Sequence, residues 1–186
     1  MQRSGRVKVE GERTKGERRK VKVKQFIGLW LGAMLLTGCE GTTFQSSVPA
    51  YPVRVVIDTR MGEFVHFQPT AINTYITVTR DGGYFYNGKM VLPLPATDPC
   101  GYGGVVAYIN IMGNYDAYDL ACPFCAQKRK CRTCLIDGIY ARCLECGEEY
   151  DLSSGVANPM KGVAHESMRR LQVINQDGKL TITQRR

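Results

Sequence analysis

Six of the eight cysteines fall inside 25 residues, as three successive pairs: Cys122-Pro-Phe-Cys125, Cys131-Arg-Thr-Cys134 and Cys143-Leu-Glu-Cys146. A C-x-x-C pair on a tight turn presents both sulfurs to one tetrahedral centre, and two such pairs complete a four-cysteine metal site. Gly147 follows the last pair directly. With no Cβ, it lets backbone N–H groups turn toward the sulfurs. The spacing leaves open which four sulfurs bind and what they bind. Disulfides within each pair are a poor alternative, because three such small loops would constrain little of the unfolded chain. A thioredoxin-like redox role lacks the βαβ context that lowers a thiol pKa.

The elements that must hold this cluster read as strands. Val53, Val55 and Ile57 alternate with Arg54, Val56 and Asp58, the period of a half-buried strand. Residues 74–80 are β-branched and aromatic, and Asp81-Gly82-Gly83 then turns into Tyr84-Phe85-Tyr86. Asn87-Gly88 signals another turn. Residues 105–112 read as a strand, with Gly113-Asn114 turning into a further strand over 115–120. Gly138-Ile139-Tyr140-Ala141-Arg142 leads into the last cysteine pair. Residues 169–174 and 179–183 close the chain as a hairpin across Asn175-Gln176-Asp177-Gly178. No segment carries a 3.6-residue apolar stripe. Short strands between frequent turn signals predict an all-β sandwich or barrel, with the cysteines on two loops between strands.

Upstream lies a different kind of segment. A basic stretch ending at Lys24 precedes an apolar run over 26–36, and Leu36-Thr37-Gly38-Cys39 closes it. Eleven residues are too few to span a bilayer as a helix, which takes roughly 20, but they suit the apolar core of a secretory signal. Leu36-Thr37-Gly38-Cys39 resembles the bacterial lipobox, in which the Cys becomes lipidated. Residues 1–38 are thus expected to be a signal peptide, with 1–20 a polar over-extension of the start. Cys39 is the expected lipidation site, 39–50 a tether, and 51–186 the folded domain. This partition changes the meaning of the charge. Residues 1–38 hold ten Lys/Arg and three acidic residues, so they carry +7 of the formal +8. The mature part is left with 15 basic against 14 acidic side chains, which gives nucleic-acid binding no support. Its one basic cluster, Lys128-Arg129-Lys130 with Arg132, is either a solvated loop tip or a positive rim beside the cysteines.

The two cysteine loops, read with their flanks, resemble a Rieske-type iron–sulfur domain over residues 115–182. Tyr115-Asp116-Ala117-Tyr118-Asp119-Leu120-Ala121-Cys122-Pro123 is similar to the strand and first ligand loop of that family. Cys143-Leu-Glu-Cys146-Gly147-Glu-Glu-Tyr150-Asp151-Leu152-Ser-Ser-Gly155 is similar to the second. Gly162-Val163-Ala164 and Gly178-Lys179-Leu180-Thr181-Ile182 look like the pieces that follow. Tyr51-Pro52-Val53 and Gly103-Gly104-Val105-Val106 add a likeness to lipid-anchored Rieske-like proteins of the Bacteroides group. Both family histidines are replaced, by Phe124 and Cys146, while His66 and His165 lie outside the loops. A His-ligated centre cannot be built from these loops.

The resemblance implies Cys122, Cys125, Cys143 and Cys146 as ligands, with Cys131 and Cys134 as alternates for the first-loop position or as a lateral disulfide. Cys100 stands alone in a Pro/Gly-rich connection and is expected to be buried or paired. A 2Fe–2S cluster for electron transfer is the first reading, and a structural four-cysteine zinc site in a non-enzymatic envelope-binding module is the alternative. No phosphate-cradling loop and no Ser/His/Asp set proposes an enzyme. The expected setting is the cell envelope. The lipid anchor would hold the chain on the membrane, facing the periplasm or cell surface beside an unidentified redox or envelope partner.

Overall fold

The structure, a computed structural model, describes residues 46–93 and 98–185. Residues 1–45, with the expected signal segment, the start-site question and Cys39, lie outside the described residues. No helix among the described residues is long and apolar enough to cross a membrane.

The expected all-β class is what the structure shows. The described strands are β1 (Arg54–Asp58), β2 (Tyr75–Thr79), β3 (Gly83–Tyr86), β4 (Lys89–Leu92), β5 (Val105–Ile109), β6 (Tyr115–Asp119), β7 (Leu135–Asp137), β8 (Tyr140–Arg142), β9 (Glu149–Asp151), β10 (Asn158–Lys161), β11 (Gln172–Gln176) and β12 (Lys179–Thr183). They form three antiparallel sheets, ordered β4-β3-β2-β5-β6, β1-β12-β11 and β10-β9-β8-β7.

β5 explains the layering. All five of its residues are buried, so both faces of the five-stranded sheet are covered at this strand. Val105, Ala107 and Ile109 face one apolar cluster with Val55 and Ile57 of β1 and Leu180 and Ile182 of β12. Val106 and Tyr108 face the other, which contains Cys122, Cys125, Cys134 and Cys143 with Tyr150 and Leu152. The alternation along residues 53–58 has the expected sense, with Val53, Val55 and Ile57 inside. The cysteine loops thus stand on one face of a sheet whose other face is a conventional aliphatic core.

Three expectations change. The strand predicted over 105–112 stops at Ile109, because the Asn110 side chain closes a turn: its Oδ1 accepts from Met112 N at 2.9 Å and Asn114 N at 3.0 Å. Ile111 and Met112 consequently sit on an exposed tip. The predicted tether is partly folded, since Val48 is buried and Glu166 Oε1 accepts from Ser46 Oγ at 2.8 Å and Ser47 N at 2.6 Å. Finally, a one-turn helix, α1 (Pro123–Gln127), occupies the first cysteine pair. Pro123 at its start has the φ a first turn needs and no N–H to strand.

Candidate metal centre

The sulfurs of Cys122, Cys125, Cys143 and Cys146 all lie within 4.8 Å of one another. Cys122 Sγ and Cys146 Sγ are 3.6 Å apart, and Cys125 Sγ and Cys143 Sγ 3.8 Å. Both contacts join one loop to the other. The first pair is carried by α1, between β6 and β7. The second occupies the tip of the β8–β9 hairpin, where Arg142 pairs with Glu149 and Cys143 N donates to Glu148 O at 2.9 Å. Gly147 takes φ 77° there, and its N–H donates to Cys143 O at 2.9 Å. Its freedom closes the hairpin tip, and it is the next residue, Glu148, whose N–H reaches the Cys146 sulfur.

Electrostatics single out Cys122. Its side chain has no solvent exposure, yet its thiol is pulled down to about 4. The largest cause is the Cys134 thiol, joined by the Tyr150 hydroxyl, the Cys125 N–H and the Cys146 thiol. Tyr150 Oη lies 3.5 Å from Cys122 Sγ. The partners move the other way. Burial raises Cys125 to about 11 and raises Cys146, while Cys134, hydrogen-bonded to Cys122, is raised strongly. This is the pattern of one buried thiolate fed by neighbouring donors.

The third cysteine pair behaves differently, although its spacing is the same. Ala121 bridges Thr133 in antiparallel fashion, flanked by Cys122 N to Arg132 O and Cys134 N to Leu120 O, each 2.8 Å. The segment is extended, so residues three apart point to opposite sides. Cys134 faces inward beside Leu120 in the cysteine-centred cluster. Cys131 is exposed, its thiol directed at Tyr102 O at 3.4 Å. The lateral disulfide implied by the resemblance is not formed, and neither alternate joins the group of four. All seven described cysteines are free. Cys100 is buried and lines a separate cavity of about 440 Å³ with Arg80 and Tyr102. His66 and His165 are exposed and outside the group.

The basic cluster is drawn into cross-loop pairing. Lys130 and Arg132 reach Glu145 at 3.7 and 3.4 Å, and Lys128 lies over the Phe124 ring at 4.0 Å. The two half-exposed ion pairs with Glu145 contribute little energy individually, but they join the same two loops as the sulfurs do. Sequence reasoning missed the role of Glu148, a buried carboxylate inside the second loop, and nothing in its local spacing announces it.

Whether a metal fits can be judged from the sulfurs themselves. With metal–sulfur bonds of about 2.3 Å, a regular tetrahedron has sulfur–sulfur edges of about 3.8 Å. Both cross-loop contacts match that edge, and three of the four ligands are buried. The four cysteines therefore form a group that suits a metal centre.

No family model matches the chain, and no curated protein is similar to it. Among solved structures it is similar to Sphingomonas yanoikuyae B1 ferredoxin, with a TM-score of 0.36 and 15% sequence identity, over 63% of this chain and 94% of that one.

Proposed function

We propose that this chain is a lipid-anchored, Rieske-like metal protein of the cell envelope whose Cys122, Cys125, Cys143 and Cys146 thiolates hold one tetrahedral ion of the zinc type. The observation that carries the ion is the mutual approach of all four sulfurs within 4.8 Å. A binuclear cluster divides its thiolates between two irons with sulfide bridges between them, whereas here each sulfur lies within 4.8 Å of the other three. When bound, a closed four-thiolate ion supplies folding energy rather than chemistry. The residues around it serve that end: α1 and the β8–β9 hairpin tip present the sulfurs, and Tyr150, Cys134 and two backbone N–H groups neutralise the charge on them. The Rieske-like reading rests on the loop motifs and their two-loop construction, and the envelope location on the lipobox-like Leu36-Thr37-Gly38-Cys39.

A second reading keeps the 2Fe–2S cluster and electron transfer. It is favoured by the way the ligands come, two from each of two loops, with hydrogen-bond donors aimed at the sulfurs, a recognised means of tuning cluster potential. Metal analysis with absorption spectra of the anaerobically purified chain separates the two. A colourless protein with one zinc supports the first. A red-brown protein with about two irons and two acid-labile sulfides overturns it in favour of the second.

A further inference from the structure

Two carboxylates are buried beside the cysteine loops, and among the described residues neither has a cationic partner within salt-bridge distance. Asp119 has no solvent exposure and Glu148 has 1%. Each is instead filled with backbone N–H groups. Asp119 Oδ1 accepts from Gly103 N and Ala121 N, both at 2.9 Å, and Oδ2 accepts from Tyr102 N at 2.7 Å. Glu148 Oε1 accepts from Val163 N at 2.7 Å, and Oε2 from Ala164 N at 3.1 Å. Carboxylate oxygens suit a row of donors that an amide would meet partly with its own N–H₂, and at Asp119 those backbone donors oppose the burial that pushes its carboxyl up.

Both carboxylates sit where a ligand loop meets the rest of the fold. Asp119 ends β6, three residues before Cys122, and fastens the loop 101–104 against the chain entering the first ligand pair. That loop in turn accepts the Thr133 hydroxyl at Gly103 O, 3.1 Å away. Glu148 follows Gly147. Its backbone contacts both second-loop ligands, accepting from Cys143 N and donating to the Cys146 sulfur. Its side chain fastens loop 162–164, whose Ala164 packs against the cysteine-centred cluster.

Glycines make the room. A Cβ on Gly162 would lie 2.3 Å from the Glu148 carboxylate, and one on Gly101 2.6 Å from Asp119 Oδ2. Gly162 also takes φ 108°, which other residues rarely adopt. These two loops approach closely enough only because they carry no side chain at the point of contact.

We infer that Asp119 and Glu148 are positioning residues that hold the two ligand loops in their metal-binding shape, acting through backbone amides and not as ligands. The inference rests on the metal reading above. Outer-shell partners of this kind typically account for about 10- to 100-fold in metal affinity.

The test is competition of the full chain for cobalt(II) and zinc against a chromogenic chelator, with the cobalt thiolate and ligand-field bands recorded for each variant. Glu148→Gln, Asp119→Asn and Gly162→Ala should each weaken binding about 10- to 100-fold and distort the tetrahedral cobalt spectrum. Asp116→Asn is the control. Asp116 is equally buried, but its partners are Arg170 at 2.5 Å and Asn110 at 2.6 Å, away from the ligand loops. It should lower the melting temperature and leave affinity and spectrum unchanged. If Glu148→Gln and Asp119→Asn lower the melting temperature as Asp116→Asn does, with wild-type affinity and spectrum, the inference is overturned. A wild-type chain that takes up no metal overturns the metal reading itself, and the positioning role with it.

Discussion

Without metal, the chain should become more stable as pH rises from about 5 to 8, and one thiol should be responsible. Cys122 is fully buried, and burial alone would push its thiol up. The donors around it prevail, the Cys134 thiol first, and bring it to about 4. In the unfolded chain a cysteine keeps its proton up to about pH 8.5. Between those limits the unfolded state binds one proton more at this cysteine than the native state does, a slope that Asp119, whose carboxyl burial raises, offsets at the acid end. Unfolding free energy then rises with pH by about 1.4 kcal/mol per unit for a whole proton, or as much as about 4 kcal/mol from pH 5 to pH 8. Asp58, held at about 2 by Arg60, titrates below this window in either state.

Above pH 8.5 the sign reverses. Burial holds Cys125 at about 11 and raises Cys146, and the bond to Cys122 raises Cys134. There the native state keeps protons that the unfolded state gives up, so stability should fall and the profile should peak near about pH 8. The assay is urea unfolding of the reduced, chelator-treated full chain across this range, followed by circular dichroism. Cys122→Ser should flatten the acid limb. A wild-type profile that is flat or descending between pH 5 and 8, or a Cys122→Ser variant that keeps the slope, would show that Cys122 does not set the acid limb.

Three further outcomes are expected. Cys143→Ser and Cys146→Ser should each eliminate bound metal, while Cys100→Ser and Cys131→Ser should retain it, because their thiols lie outside the four-sulfur group; elemental analysis of the purified variants decides this. Removing the metal at neutral pH should lower the melting temperature, since structural zinc contributes on the order of 10 kcal/mol in peptides. An unchanged melting curve after complete metal loss would remove the ion from the fold. Cys39→Ser should abolish lipid attachment and membrane association, and its undiminished partition into a detergent phase would end the lipoprotein proposal.

What the sequence made legible was local. Alternation along residues 53–58 marked a strand with one buried face, because a period of two is a property of the backbone and needs no partner to be read. Asn87-Gly88 and Asp177-Gly178 marked turns for a similar reason. Both Asn87 and Asp177 take positive φ, at 45° and 50°, next to a glycine that does the same. The all-β class followed from such signals. β7 and β10 escaped notice because each is three or four residues long, and they are strands by virtue of the neighbours they pair with.

The cysteines show where local reading stops. Three identical spacings occur, and two of them converge on one centre because α1 and the hairpin tip at 143–147 curl the chain, placing residues three apart on one side. The third is stretched out by the Ala121–Thr133 bridge, so its two sulfurs face opposite ways. One is buried in the cysteine-centred cluster, and the other is left at the surface. That bridge depends on residues twelve positions apart, and on Asp119 fastening the loop beneath them. A spacing specifies a metal knuckle only together with the backbone conformation that carries it, and here long-range pairing sets that conformation. For the same reason Cys134, which matches the motif as well as any ligand does, lies buried beside the centre without joining its four sulfurs.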